Sequence, residues 1–179
     1  MSEMHMILDL ARLSLFPALM AFAAVSDLFT MTISNRVSLA LVAGFLLLAP
    51  LSGMSGTDIL MHLAAGASVL AVAFGCFAMG WVGGGDAKLA ASAALWLGLT
   101  QLMNYLLCAS LFGGALTILL LQLRQWPLPY VLTGQAWLIR LHAKESGIPY
   151  GIALSIGALA IYPQTEWMKA VSLASFAIH

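Results

Sequence analysis

Two aspartates lie at the edges of apolar segments in a chain that has only seven acidic residues in all. One is Asp27, and the other is Asp86, which directly follows three consecutive glycines, Gly83, Gly84 and Gly85. A carboxylate in or beside a membrane is energetically costly, so such residues are candidates for function. Two carboxyls can hydrolyse a peptide bond together, because the ionised one activates a water while the protonated one polarises the scissile carbonyl. We therefore hypothesise that the two aspartates work as a pair, with neither role assigned to one residue.

The glycine triplet is predicted to open a loop at the membrane edge, because glycine disfavours helices. A backbone without side chains lets an extended peptide approach closely, which suits a protease. A phosphate site has less support, since Asp86 would repel phosphate and no Gly-Lys-Ser/Thr sequence follows the triplet. Close helix–helix contact through small residues is an alternative interpretation of these glycines.

Each aspartate also has a purely structural interpretation, Asp27 as a helix-end residue and Asp86 as the N-cap of the next helix. Other hydrolytic chemistries have less support, because the chain contains neither G-x-S-x-G nor H-E-x-x-H and its four histidines are scattered. No metal or cofactor is therefore expected, and His62 is interpreted as a helix-contact residue. Cys76 and Cys108 lie in apolar runs without C-x-x-C spacing, which predicts small core residues rather than a zinc site or disulfide.

The composition predicts an integral membrane protein. Hydrophobic residues make up 62% of the chain, charged residues 8%, and the mean hydropathy is +0.99. A soluble domain carries roughly 25% charged residues, so this chain could not cover a soluble surface. The net charge of zero gives nucleic-acid binding no electrostatic support. We predict an all-α fold in a single membrane domain over residues 1–179.

Six apolar windows, each near the length that a bilayer requires, predict six transmembrane helices. They cover residues 8–25, 37–51, 59–82, 87–99, 102–123 and 148–162. The fourth and fifth windows are almost continuous and are broken only near Thr100, Gln101 and Asn104. One tilted helix is an alternative, but about 35 residues are too long for one crossing, which favours a tight helical hairpin.

The distribution of basic residues predicts the orientation of these spans. With six spans, three loops share one side, and they carry five basic residues: Arg36, Lys88, Arg124, Arg140 and Lys144. The opposite side carries Arg12 and Lys169. This asymmetry places the three loops in the cytoplasm and both termini outside it. Both aspartates then lie at the cytoplasmic face of the membrane.

The longest cytoplasmic loop, residues 124–147, contains several large apolar side chains. Leu132, Trp137, Leu138 and Leu141 could form one face of a short interfacial helix, with tryptophan at the level of the lipid headgroups. A solvated connector is an equally supported alternative.

Three sequence elements resemble those of G-x-G-D aspartyl proteases, and specifically of type IV prepilin peptidases. The first resembles the family's D-x5-I-P-N element, the second its G-G-G-D-x-K-L element and the third the I-P-Y-G-x-A opening of its last helix. In this chain they are Asp27-x5-Ile33-x-Asn35-Arg36, Gly83-Gly84-Gly85-Asp86-Ala87-Lys88-Leu89 and Ile148-Pro149-Tyr150-Gly151-Ile152-Ala153. The resemblance spans nearly the whole chain and is closest to the short CpaA/TadV type of the tight-adherence (Flp) pilus system.

The resemblance implies a function and a set of site residues. Asp27 and Asp86 would be the catalytic pair of a bacterial inner-membrane endopeptidase that removes the short cytoplasmic leader from Flp-type prepilins and pseudopilins. The glycine triplet would flank the cleft beside the substrate backbone. Lys88, Asn35 and Arg36 would lie at the rim of the cleft. Pro149, Tyr150 and Gly151 would pack near it. Lys88 has an alternative role, as an anchor for the cytoplasmic end of the fourth span.

The chain departs from the family pattern in two places. Ser34 stands where proline is frequent, which is expected to loosen the start of the helix at Asn35. The methyltransferase insert of the long prepilin peptidases, with its paired cysteines, has no counterpart here, so no N-methyltransferase activity is expected. The alternative function is a small membrane transporter or a non-catalytic pilus or secretion assembly subunit, in which the aspartates would bind ions or protons. A transporter would place its carboxylates near mid-membrane, whereas both aspartates are predicted at one edge.

Overall fold

The computed structural model describes residues 3–169, and within this range the chain is built from helices without any strand. The α-helices that lie wholly within the described residues are α1 (Glu3–Thr30), α2 (Asn35–Leu51), α3 (Gly56–Ala78), α4 (Gly84–Leu123), α5 (Ala136–His142) and α6 (Tyr150–Ile161). Two short 3-10 turns, Tyr130–Leu132 and Tyr162–Gln164, flank α5 and α6. The all-α prediction is confirmed.

The helices have the length and surface of membrane helices. Three of those described, Met6–Thr30 within α1, α3 and α4, are long and apolar enough to cross a membrane, and α2 is apolar but shorter. Large apolar side chains point outward along them, such as Val72 at 69% exposed and Leu111 at 73% exposed. Such a surface is stable beside lipid tails, so the chain is a membrane protein. The count of six crossings stays a prediction.

Helix α4 is interrupted at Gly98, whose backbone angles are φ 72° and ψ 171°. After the break, Gln101 bonds to the carbonyl of Gln164, and Gly113 lies against the ring of Tyr150. Before the break, the carbonyl of Trp96 accepts a hydrogen bond from the Trp167 side chain. The two parts of α4 therefore run in opposite directions beside α6, as a hairpin does. The reversal lies at the glycine, two residues before the polar pair that the sequence suggested, because glycine adopts a positive φ without a steric penalty.

The break in α4 removes helical partners from carbonyls just before Gly98, and two distant side chains replace them. His62 Nδ1 donates to the carbonyl of Leu95 at 2.8 Å, and Trp167 Nε1 donates to the carbonyl of Trp96 at 2.9 Å. Buried carbonyls require such partners, particularly in a membrane. The interpretation of His62 as a helix-contact residue is confirmed.

An aromatic cluster fixes the end of the first part of α4. Trp96 is fully buried, lies 5.3 Å from Phe16 and 5.0 Å from Trp167 between ring centroids, and donates from Nε1 to the Leu41 carbonyl. Because α1, α2 and the segment after α6 all contact this indole, the end of the first part of α4 has little freedom to move. The position of Asp86, ten residues earlier on the same helix part, is fixed as a consequence.

The long loop contains one short helix, α5, whose apolar side chains are turned toward the protein. Trp137 packs edge-to-face on Phe29 at the end of α1, with ring centroids 5.2 Å apart. Leu138 and Leu141 line an apolar cavity of about 530 Å³ together with residues at the end of α4. The predicted helix is thus present, but Leu132 belongs to the preceding 3-10 turn, and its side chain lies outside the described part of the structure.

Both cysteines are free, and neither is fully buried. The prediction of core positions was therefore wrong for Cys76, which is only partly buried and does not belong to the main hydrophobic cluster. Cys108 is partly buried and packs against the core. The outer side of a membrane helix accepts such apolar residues because lipid replaces the protein core there.

Candidate active site

Asp27 lies in the last turn of α1, and its carboxylate is 5% exposed. Met31 ends the helix in the left-handed conformation, with φ 55°, and its N–H donates to the Asp27 carbonyl at 2.8 Å. This is the αL type of helix end, which glycine usually forms. Because α1 ends at Thr30, shortly after the aspartate, the Asp27 side chain lies near one end of the helix bundle.

The start of α6 holds the Asp27 carboxylate. The N–H of Gly151 donates to Asp27 Oδ2 at 2.8 Å. A Cβ atom at Gly151 would lie 2.8 Å from that oxygen and 2.7 Å from Ile33 Cδ1, so a side chain there would displace both. The residue predicted to pack near the cleft is therefore a direct partner of Asp27.

The two residues before Gly151 fix the start of α6. Pro149 is the N-cap of the helix and is fully buried. Tyr150 packs its ring on the second part of α4, where a Cβ atom at Gly113 would lie 2.5 Å from the Tyr150 hydroxyl. All three predicted packing residues thus lie beside the helix start that binds Asp27.

Asp86 is the third residue of α4, and Gly83 is the N-cap. The Asp86 carboxylate reaches back to the backbone N–H of Gly83, which is the acidic half of a capping box. The N-cap interpretation of Asp86 was therefore wrong by three positions. A carboxylate in the first turn is also favoured by the helix dipole.

The glycine triplet does not form a loop of three residues. Only Gly83 precedes the helix, and Gly84 and Gly85 are in its first turn. A Cβ atom at Gly84 would lie 3.3 Å from the Phe77 ring, and one at Gly85 would lie 3.2 Å from Ile33 Cβ. The loop prediction was wrong for these two residues, because the capped helix start outweighs the low helix propensity of glycine. Close contact through small residues explains them.

The two aspartates come together at one end of the helix bundle. Their charges are close enough to interact, and Ile33 touches both Gly85 beside Asp86 and Gly151 beside Asp27. Asp86 is half-buried, whereas Asp27 is buried. Each carboxyl has a backbone N–H partner, Gly151 for Asp27 and Gly83 for Asp86. Hydrolysis by such a pair requires that the two carboxyls share a water.

One hydrogen bond joins the first and second sequence elements at the rim of this site. Lys88 Nζ donates to Asn35 Oδ1 at 2.9 Å, and Arg36 is exposed beside Asn35 in the first turn of α2. Ser34 is the N-cap of α2, has φ −67°, and accepts a hydrogen bond from the Arg36 N–H. Ser34 thus takes a φ typical of proline and adds a side-chain cap, and its predicted loosening of the helix start stays a prediction.

Reasoning from the sequence missed two further residues, Arg140 and Tyr105. Arg140 of α5 donates to the carbonyl of Phe29 at 3.0 Å, which fastens the loop to the end of α1. Tyr105, on the second part of α4, is fully buried. An isolated arginine in a loop and an isolated tyrosine in an apolar run carry no motif, so only the fold reveals them.

Comparison with known families identifies the chain. A model of the type IV leader peptidase family matches residues 14–118, more than half of the sequence, including both aspartates and the glycine triplet. The chain belongs to this family. Searches of curated proteins and of solved structures gave no match.

Two features of this type IV leader peptidase extend beyond the family match. The Ile148–Ala153 element lies after the matched range, yet its Gly151 binds the Asp27 carboxylate. Among residues 3–169, no group of three histidine, cysteine or acidic side chains is placed to hold a metal ion. The backbone N–H groups of Gly151 and Gly83 are the bonding partners of the two aspartates.

Proposed function

We propose that this leader peptidase is an aspartyl endopeptidase that cleaves the cytoplasmic leader from Flp-type prepilins and pseudopilins. The observation that carries the proposal is the meeting of Asp27 and Asp86 at one end of the bundle. An aspartyl pair needs one ionised and one protonated carboxyl, and two carboxyls at close range in a poorly solvated site favour that state. The pair then has one base and one acid without any further group.

The proposed reaction needs only a water and the two carboxyls. The ionised carboxylate takes a proton from the water as its oxygen attacks the scissile carbonyl carbon. The protonated carboxyl donates to the carbonyl oxygen as negative charge develops there. The carbon–nitrogen bond then breaks, and the proton taken from the water passes to the leaving amine. The proton on the former carbonyl oxygen returns to the carboxyl that donated it, which restores the pair. Gly151 and Gly83 hold the two carboxylates in place through their N–H groups.

The proposed location of the site agrees with the substrate chemistry. We place Asp27 and Asp86 at the cytoplasmic face of the bacterial inner membrane, where a soluble leader meets an apolar pilin helix, and both termini on the opposite face. The five basic residues of the predicted cytoplasmic loops support this orientation. The clustering of both carboxylates at one end of the bundle favours a peptidase over a transporter, whose ion sites lie near mid-membrane.

The proposed chemistry is tested by removing one carboxylate at a time. The peptidase is expressed with a Flp-type prepilin, and cleavage is scored by the gel shift of the pilin. Asp27→Asn and Asp86→Asn should each abolish cleavage while the protein stays in the membrane. Asp58→Asn is the matched control, because Asp58 is an exposed helix-cap residue bonded to Ser55 at the start of α3, and it should cleave normally. Full processing by either active-site variant would exclude the aspartyl mechanism.

We also propose that the enzyme releases an unmethylated pilin. Purified peptidase is incubated with prepilin and S-adenosylmethionine, and the mature pilin is measured by mass spectrometry. The expected product has the mass of the cleaved chain alone. A product heavier by one methyl group would contradict this part of the proposal.

A further inference from the structure

An apolar cavity of about 530 Å³ lies between the end of α4 and the short helix α5. Its wall consists mainly of apolar side chains, among them Leu120 and Leu123 of α4 and Leu138 and Leu141 of α5. The wall also contains Arg124, a buried cation. An apolar cavity with a buried cation has the composition of a site for an anionic amphiphile.

The Arg124 guanidinium has protein partners for some of its N–H groups but no carboxylate for its charge. Nε donates to the Leu141 carbonyl at 2.9 Å, and Nη2 donates to the Gly147 carbonyl at 2.8 Å. No carboxylate among residues 3–169 forms an ion pair with it. Arg124 is the C-cap of α4, where the helix dipole offsets only about half an elementary charge. Buried charges are normally paired, so part of this charge is available to an anionic ligand.

The loop that follows Arg124 presents large side chains to its surroundings. Tyr130 is 91% exposed and Trp126, which also lines the cavity, is 73% exposed. Tryptophan and tyrosine favour the level of the lipid headgroups, and this loop directly follows a membrane helix. Residues 124–147 carry three basic residues against one acidic residue, Glu145. An anionic phospholipid fits both features, because basic pockets between membrane helices bind such headgroups.

We propose that this cavity binds one anionic phospholipid of the surrounding leaflet, with the phosphate on Arg124 and an acyl chain between α4 and α5. The phosphate accepts from the guanidinium N–H groups that the two loop carbonyls leave unused. The acyl chain packs on the leucines of the wall. This site is separate from the two aspartates, and the proposal does not depend on the proposed peptidase mechanism.

The first test uses the unchanged protein. Delipidated protein in detergent is titrated with phosphatidylglycerol or with phosphatidylcholine of the same acyl chains, and bound lipid is counted by native mass spectrometry. We expect one site that prefers phosphatidylglycerol at least about tenfold, because choline cancels the phosphate charge that Arg124 attracts. Equal affinity for the two lipids overturns the proposal, and so does displacement of phosphatidylglycerol by an equal concentration of inorganic phosphate.

The second test locates the site on the unchanged protein. Phosphatidylglycerol with a photoreactive group on its acyl chain is cross-linked to the protein, and the labelled peptides are sequenced. The labels should fall within residues 120–142, at the end of α4 and in α5. Labels found only elsewhere contradict the proposal.

The third test removes the charge. Arg124→Gln should weaken phosphatidylglycerol binding about tenfold and abolish the preference over phosphatidylcholine. Lys144→Gln is the matched control, because it removes an exposed charge from the same loop, and it should bind as the unchanged protein does. Normal binding by Arg124→Gln, or an equal loss in Lys144→Gln, overturns the proposal.

Arg124 also holds two loop carbonyls, so the Tm of each lipid-free variant is measured in detergent. Where Arg124→Gln fails to fold, Leu138→Trp decides, since it places an indole in the cavity and keeps the arginine. Leu138→Trp should lose the phosphatidylglycerol site. Normal phosphatidylglycerol binding by this variant would mean that the lipid lies outside the cavity.

Discussion

At the scale of single residues, the two aspartates depend on backbone groups more than on other side chains. Asp27 accepts from the start of α6, and Asp86 accepts from the start of its own helix, α4. Helix starts suit this purpose, because their N–H groups lack helical partners and their dipoles favour negative charge. A carboxylate in a membrane protein can thus be stabilised without a basic neighbour, which leaves the pair free to exchange a proton with a water.

Gly151 gives the sharpest residue-scale prediction. In Gly151→Ala the new methyl group would lie 2.8 Å from Asp27 Oδ2, so the carboxylate must move. A displacement of this kind costs about a hundredfold in rate. We expect that loss in kcat for prepilin cleavage, with membrane insertion retained.

The control for Gly151→Ala is Gly147→Ala, since a Cβ atom there meets nothing within 4 Å. This variant should cleave at the normal rate. Equal rates for the two variants would show that the Gly151 contact does not position Asp27.

The aspartates could be predicted from sequence because each lies in a motif with a rare charge in an apolar chain. Gly151 was recognised only through its motif, and its hydrogen bond to Asp27 could not be predicted, because 124 residues separate the two. Tyr105 and Arg140 had no sequence signal. Their positions depend on how α4 folds back and on where the long loop crosses the end of α1.

At the scale of helices, the hairpin in α4 brings the parts of the site together. The hairpin could be predicted because 35 apolar residues exceed one crossing, by about ten or more. The exact position of the break could not be predicted. Thr100 and Gln101 are polar, which indicates exposure, whereas the reversal requires a residue that adopts a positive φ. Gly98 meets that requirement through its positive φ and its contact with His62.

Gly98→Ala should therefore destabilise the protein. The residue has φ 72°, and a Cβ atom would lie 2.8 Å from the His62 ring. With ψ 171°, this is an extended conformation at positive φ that essentially only glycine occupies. Holding an alanine there costs on the order of 1–3 kcal/mol, and the displaced ring adds to this. We expect a fall of at least about 2 kcal/mol in the free energy of unfolding, measured by denaturant titration in detergent.

Gly114→Ala serves for comparison, because Gly114 is within regular helix and a Cβ atom there meets nothing within 4 Å. It should leave stability unchanged or raise it slightly, since alanine favours helices. An equal loss from both substitutions would mean that the break in α4 is not specified by Gly98.

At the scale of the whole molecule, the protein has a polar reactive end and an aromatic end. The aspartates and the start of α6 form the first, and Trp96, Phe16 and Trp167 form the second. Composition alone was sufficient to predict a helical membrane protein. The separation of the two ends depends on tertiary packing. From the sequence, only the shared side of the two aspartates could be predicted, from the number of spans and the distribution of basic residues.

The predicted orientation is tested by labelling single cysteines in intact cells. In a variant with Cys76 and Cys108 replaced by alanine, Thr57→Cys should react with a membrane-impermeant maleimide. Gln125→Cys should react only after lysis, since its loop carries three of the five basic residues counted as cytoplasmic. Both positions are exposed in the structure. The reverse pattern would place the aspartates on the outer face and contradict the proposed access to a cytoplasmic leader.

The central claim is that Asp27 and Asp86 act as one unit, and a double-variant comparison tests it most directly. The initial rate of prepilin cleavage is measured for Asp27→Asn, Asp86→Asn and the variant carrying both changes. If the two carboxyls share one water, either single change destroys the unit, so all three variants should show the same residual rate. Substantial cleavage by one single variant, or a rate for the double variant equal to the product of two partial losses, would show that the aspartates act independently.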